Sequence, residues 1–211
     1  MARVNLHWHF LPEPVTNAFR AISGPLAESD FYLAGGTALT LHLGHRISVD
    51  LDLFSPTFES PDQLLALLEP SLPGFTTTLV APRTLYLSIG GVQVSLFGYG
   101  YGLLAPTSAT GSGLLPLADP DDIGAMKLAA IAQRGSRKDF LDVWALVRQR
   151  RPLREYLSLY QRKFASRDVG HVLRSLAYFD DADRDTELFL LDNTPWDQVK
   201  DDFVRWVSEL V

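Results

Sequence analysis

The residues of this chain best able to do chemistry together lie in "FYLAGGTALTLHLGHRISVDLDLFSP", Phe31 to Pro56. Gly35, Gly36 and Thr37 stand between a short apolar run and a helix-like run. Glycines at a strand-to-helix turn let backbone amides approach an anion, and the dipole at the helix start favours phosphate there. The same glycines would also serve merely to turn the chain. Asp50 and Asp52 follow on an alternating run. Two residues apart on a strand, both carboxylates project from one face, where they repel unless water, a cation or a metal ion lies between them. They can share Mg²⁺ with a triphosphate, or form a solvated face with Arg46 as counterion. A phosphate turn, one helix and then a strand bearing carboxylates is the order that in-line phosphoryl or nucleotidyl transfer requires.

A second group lies in "DIGAMKLAAIAQRGSRKDFLDVWAL". Lys127, Ala130 and Arg134 share a helical face, and Lys138, Asp139 and Asp142 follow on the next helix. The two cations could neutralise a triphosphate. Alternatively the cations and aspartates form an ion-pair network between packed helices. His7 and His9 flank Trp8 with no carboxylate nearby, a pattern of surface histidines rather than a metal site.

The elements that must position these groups can be read from periodicity. Pro14 to Ala27 is helical in pattern, "FYLA" is a short buried strand, and Thr37 to Leu43 is a helix. "ISVDLDLF" is read as a strand with Val49, Leu51 and Leu53 on one face and the two aspartates on the other. Ser60 caps a helix with Pro61 at its first position, running to about Glu69. "GFTTTLVAP", "TLYLSIG" and "VQVSLFGY" are three strands, the last two joined at Gly90 and Gly91. The glycine-rich run from Gly98 to Gly113 is a flexible connection. Beyond it the pattern is helical, over Pro120 to Gln133, Arg137 to Arg148, Leu153 to Phe164, Asp168 to Phe179 and Trp196 to Leu210. The expected fold is α/β (α+β), a small mixed or antiparallel sheet lobe over residues 1–117 followed by a helical lobe over 118–211.

Composition bounds the function. A chain of 211 residues, 46% hydrophobic and 21% charged, folds with a substantial core. It contains no cysteine, which excludes thiolate ligands and a cysteine nucleophile. No apolar run is long enough to span a bilayer and the first residues lack a secretory pattern, so a cytoplasmic location with no membrane partner is expected. Net charge is −6, yet Arg134 to Arg167 carries ten basic residues against three acidic ones, a local +7 that suits a polyanion.

Together, "GGTALTLHLGHRISVDLDLF" and "KLAAIAQRGSRKDFLDVWAL" resemble the AbiEii/AbiGii toxin family of nucleotidyltransferases, within the DNA polymerase beta-like superfamily. The resemblance implies an NTP-dependent transferase using Mg²⁺ (or Mn²⁺), acting as the toxin of a toxin–antitoxin or phage-defence pair. An antitoxin protein is then a partner, and the acceptor is a protein or an RNA such as tRNA, the latter docking on Arg134 to Arg167. Carried onto this chain, it places Gly35, Gly36 and Thr37 at the phosphates, Asp50 and Asp52 at the metal, and Lys127 at the nucleotide. His45 and Arg46 match the "HR" before the carboxylates, with Arg46 and Arg134 as further nucleotide contacts. Asp139 and Asp142 occupy the late acidic positions, expected as catalytic carboxylates. In one respect the chain departs from the superfamily. The third carboxylate, on a later strand, is replaced in "VQVSLFG" by Ser95, with Gln93 on the same face. A non-catalytic nucleotide-binding or antitoxin-interacting module is the alternative this substitution raises.

Overall fold

The structure is a computed structural model that describes residues 6–185 and 190–210. The chain divides into two compact units. The first takes in the described residues up to His42, then Ile47–Gly102 and Pro106–Ala118. The second takes in Leu43–Arg46, Leu103–Ala105 and the described residues from Asp119 onward.

In the first unit, α1 (Glu13–Ser23) buries Val15, Ala18, Phe19 and Ile22, the i, i+3, i+4, i+7 stripe of an amphipathic helix. β1 (Tyr32–Ala34) runs directly into α2 (Gly35–Leu43). β2 (Leu51–Ser55), α3 (Pro61–Leu68), β3 (Thr76–Ala81), β4 (Thr84–Ile89) and β5 (Val92–Gly98) follow. Ser60 caps α3, its side chain accepting from the Gln63 amide, and Pro61 occupies the first helical position. The five strands form one mixed sheet in the order β1-β2-β5-β4-β3, with β2 and β5 parallel and the other pairs antiparallel. Gly90 and Gly91, both at positive φ, make the two-residue turn between β4 and β5. One sheet face is core: Leu33, Leu51, Leu53, Leu85, Leu87, Val94 and Leu96 are fully buried.

The carboxylate strand is shorter than its alternation implies. Pairing begins at Leu51 opposite Val94, so Asp50 precedes the strand and Asp52 lies within it. Val49, expected on the core face, is 56% exposed, and Ile47 is 51% exposed. The segment from 98 to 113 is not a free tether either. The Leu104 and Ala105 amides donate to Asp122 at 2.9–3.1 Å, and Ser108 bridges to Leu117.

The second unit consists of α4 (Pro120–Arg134), α5 (Arg137–Gln149), α6 (Leu153–Phe164), α7 (Gly170–Leu176), α8 (Asp180–Arg184) and α9 (Trp196–Ser208). Asp119 caps α4 through the Asp121 amide, and Gly135 ends it at φ 57°. The helix expected over Asp168 to Phe179 is shorter, since Asp168 turns back to accept from the Gly170 amide at 2.7 Å. Among the described residues no helix is long and apolar enough to cross a membrane.

Helix α4 meets α6 at Gly124, where an added Cβ would lie 2.5 Å from Cδ1 and Cε1 of the fully buried Tyr156. A methyl there overpacks the helix crossing. Gly124→Ala is therefore expected to cost about 2 kcal/mol despite alanine's better helix propensity. The melting temperature should fall by roughly 4–8 °C. An unchanged or raised melting temperature in a thermal scan would show that the crossing has slack.

Candidate active site

The first unit brings the glycine turn and the carboxylates together. Gly35 opens α2 at φ 65°, a left-handed conformation that glycine adopts without strain. Any side chain there would also put its Cβ 2.5 Å from Oδ2 of Asp52. Two independent constraints thus fix glycine at 35, and the second shows how closely the Asp52 carboxylate approaches the turn. Register explains the approach: Asp52 is the cross-strand partner of Ala34, the residue just before Gly35. Gly36 follows, buried in the first turn of α2.

The Thr37 hydroxyl, expected at a phosphate, is engaged within the protein. Thr37 is 1% exposed, and its hydroxyl donates to the Asp50 carbonyl and pairs with the Ser48 hydroxyl at 2.9 Å. Its geometry makes it the anchor that holds the segment before β2 against α2, so it positions Asp50 through the backbone. Asp50 and Asp52 are both half-buried. Directly across β5 from Asp52 stands Ser95, 2% exposed, within 3.4 Å of the Gln93 amide nitrogen. A carboxylate at 95 would adjoin Asp52.

Two carboxylates beside an anion-receptive turn fit Mg²⁺ or Mn²⁺. Mg²⁺ takes one or two protein carboxylates and completes its shell with phosphate and water oxygens. Among the described residues no group of three or more His, Asp or Glu that could hold a metal comes together. His7 and His9 pack edge to face with ring centroids 5.8 Å apart.

The remaining expected residues assemble in the second unit as a buried ion cluster. Asp142, fully buried, accepts from His45 Nε2 at 2.7 Å, Arg46 Nε at 2.7 Å, Arg46 Nη2 at 3.0 Å and Lys127 Nζ at 2.6 Å. Asp139, equally buried, accepts from Lys127 Nζ and Arg134 Nε at 2.8 Å, and from the Ser136 hydroxyl at 2.8 Å. The two aspartates, expected as catalytic carboxylates, are thus sealed in ion pairs in this structure. Burial pushes both upward, but Lys127 and Arg134 bring Asp139 down to about 2, and Arg46 and Lys127 hold Asp142 well below the usual carboxylate range. Such groups are poor proton acceptors near neutral pH. Lys127, Arg46 and Arg134, expected at the nucleotide, are likewise engaged with these aspartates. Burial alone would lower the Lys127 ammonium, yet Asp142 and Asp139 outweigh it and keep it above its ordinary value. His45 is held below its ordinary value by burial, which Asp142 only partly offsets.

A further buried pair, Lys163 to Asp122 at 2.6 Å, has no forerunner among the expected residues. Its signal, a second aspartate in the first turn of α4, is indistinguishable in sequence from ordinary helix-start acidity. Of the basic tract, Arg137 donates to the Ala182 carbonyl, Arg151 pairs with Asp121 and Glu155, and Lys163 is buried. Arg148, Arg150, Arg154, Arg162 and Arg167 are exposed.

The cluster makes stability depend on pH with a definite sign. Asp139 and Asp142 titrate lower folded than unfolded, so their contribution is complete above the unfolded carboxylate value of about 4 and is lost as pH falls toward 2. His45, buried neutral, adds a loss that begins below its unfolded value of 6.5. Replacing Asp142 by Asn leaves Arg46 and Lys127 buried with less countercharge and should cost about 3–5 kcal/mol at pH 7. The deficit should shrink between about pH 4 and pH 2, where the wild-type carboxylates protonate. Urea unfolding at both ends of that range, followed by tryptophan fluorescence, measures it; a deficit independent of pH would contradict the ion-pair account.

Comparison with known proteins bears on the fold and the family. An uncharacterized protein of Aquifex aeolicus (strain VF5) is 38% identical over 186 residues, covering 86% of this chain and 88% of that one. Among solved structures, ANT(2'')-Ia in complex with adenylyl-2''-tobramycin superposes with a TM-score of 0.52 at 12% identity, over 71% of this chain and 95% of that one. An antigenic nucleotidyltransferase-like protein from Paracoccidioides brasiliensis gives 0.50 at 22% identity, over 77% and 93%. Both share the fold. The family described as "Nucleotidyl transferase AbiEii toxin, Type IV TA system" matches residues 18–90 and 101–209, so the turn, the carboxylates and the helical unit all fall within the match, and the chain belongs to the AbiEii family of nucleotidyltransferase toxins.

Proposed function

We propose that this nucleotidyltransferase is metal-dependent and serves as the toxin of a toxin–antitoxin pair, transferring a nucleotide from an NTP to an RNA acceptor. The observation that carries this reading is how closely Asp52 Oδ2 approaches Gly35, where an added Cβ would lie 2.5 Å from it, which supports a metal ligand beside a phosphate turn. Asp50 and Asp52 are the residues that would hold Mg²⁺ or Mn²⁺, and the ion supplies charge neutralisation and Lewis acidity toward the phosphate. The amides of Gly35 and Gly36 receive phosphate oxygens. In the transfer, an acceptor hydroxyl oxygen bonds to the α-phosphorus as the α–β anhydride breaks. Pyrophosphate leaves, and the hydroxyl proton passes to water, since Ser95 is no base. Asp139 and Asp142 act at one remove, holding Lys127 and Arg134 charged and in place. The five exposed arginines between 148 and 167 support an anionic acceptor. Three of them, Arg148, Arg150 and Arg154, line a cleft of about 810 Å³ in the second unit with Trp206. Membership of a toxin family supports the antitoxin partner.

Two experiments test this reading. The first concerns the carboxylates: a triphosphate and two aspartates repel unless a cation lies between them. The Asp50→Ala, Asp52→Ala double variant should lose most Mg²⁺-dependent NTP affinity while keeping its melting temperature. Calorimetry showing unchanged affinity for Mg–ATP and Mg–GTP would sink the assignment.

The second concerns Ser95. A positioned general base is worth roughly 10² to 10⁴ in rate. Wild type should therefore transfer slowly, and Ser95→Asp, facing Asp52 across the strand pair, should transfer faster. Single-turnover transfer from labelled NTP, with Mg²⁺ or Mn²⁺ and cellular RNA plus protein extract, reads both the rate and the acceptor. Label found in protein alone would eliminate the RNA acceptor, and a slower Ser95→Asp enzyme would eliminate the base argument.

A further inference from the structure

The sheet face that carries Asp52 also carries a run of aromatic rings that the nucleotide and metal roles leave unused. The opposite face holds the fully buried core leucines and valine. On the Asp52 face, one cross-strand row reads Ala34, Asp52, Ser95, Tyr86, and the adjacent row reads Tyr32, Phe54, Phe97, Thr84. Phe54 and Phe97 have centroids 5.2 Å apart, Tyr86 meets Phe97 edge to face at 5.8 Å, and Tyr99 meets Phe54 at 5.2 Å. Tyr101 continues the run 5.2 Å beyond Tyr99 and is 50% exposed. Phe54, Tyr86, Phe97 and Tyr99 are each only half-buried. A face needing only to pack would bury such rings, and one needing only solubility would replace them.

The position of the run indicates its use. Asp52 and Phe54 are two residues apart on one strand, about 7 Å along it. Gly35 lies the other way, because β1 is antiparallel to β2 and reaches the turn just past the Ala34–Asp52 pair. Along the strand axis the phosphate turn and the rings therefore flank the carboxylate. In-line displacement puts the attacking hydroxyl opposite the leaving pyrophosphate. With the pyrophosphate at the turn, the acceptor approaches from the side of the rings.

From this placement we infer that Phe54, Phe97, Tyr99 and Tyr101 form a stacking subsite for the unpaired terminal base of a nucleic-acid acceptor strand. The inference rests on the transferase reading given under Proposed function. Every base offers a π face, so the platform grips the strand end without demanding a sequence. The exposed Tyr101 marks the outer end, where the strand enters.

The test uses the full chain and a short single-stranded oligoribonucleotide labelled at its 5′ end, in Mg²⁺ at low salt, with binding read by fluorescence anisotropy. Tyr101→Ala combined with Phe97→Leu should weaken binding about tenfold, whereas Tyr101→Trp with Phe97→Tyr should retain it. An oligonucleotide abasic at its 3′ terminus should bind wild type as weakly as the intact one binds the ring-deleted variant. Mg–ATP affinity, measured by calorimetry on the same variants, should stay unchanged because the turn and carboxylates are intact. That control separates the two readings, since losing NTP binding in the carboxylate variant concerns the site itself. Tyr101→Ala alone, at an exposed position, repeats the measurement if the double variant melts early. Equal affinity for intact and abasic ends, no binding to wild type, or a loss confined to Mg–ATP would each overturn the acceptor subsite.

Discussion

A fully buried carboxylate must be neutralised by protein, and Asp142 meets that requirement with three residues from two separate stretches of chain. His45 and Arg46 come from the segment after α2, and Lys127 comes from α4. Removing a single partner from such a centre leaves an uncompensated charge in low dielectric, which is far costlier than never having had the pair. The centre therefore specifies an arrangement more than it adds net stability. The chain enters the second unit at Leu43, delivers His45 and Arg46 to Asp142, and re-enters the first unit at Ile47. From there it proceeds directly to Asp50 and Asp52.

The first unit fixes its carboxylates by different means. Asp142 is held by countercharge, whereas Asp52 is held by strand register and Asp50 by the Thr37 hydroxyl on its carbonyl. Backbone anchoring leaves both side chains half-buried, with Asp52 close to the glycine turn, which suits the proposed site completed by phosphate and a divalent ion. Four aspartates that look alike in sequence thus divide by how deeply each is buried and by what holds it.

That division explains what could be read in the sequence. Local chemistry was legible: the Ser60 cap with Pro61, the glycine pair at 90 and 91, and α6 at Leu153–Phe164 follow from nearest neighbours alone. So was the closeness of the glycine turn to Asp52, because a strand, a turn and a helix in that order bring them together. The start of β2 was not legible. Alternation continues back to Ile47, but a strand needs partners, and the ladders with β1 and β5 begin only at Leu51 and Asp52. Nor could spacing decide between a catalytic and a paired Asp142, since its partners His45 and Arg46 lie 97 and 96 residues away. Asp122 with Lys163, 41 residues apart, is hidden for the same reason.

Proton transfer is where these constraints converge. The position facing Asp52 across β5 carries a buried serine hydroxyl, not a carboxylate. Asp139, with a pKa of about 2 and its oxygens already accepting from Lys127, Arg134 and Ser136, would have to break charge-assisted bonds before taking a proton. Asp142 is held likewise, by His45, Arg46 and Lys127. A transferase built this way retains orientation and charge neutralisation, which supply most of the acceleration in phosphoryl chemistry. It forgoes the smaller factor that a positioned base contributes. On the proposed mechanism, slow transfer would follow from the placement of the carboxylates, without any defect in the fold.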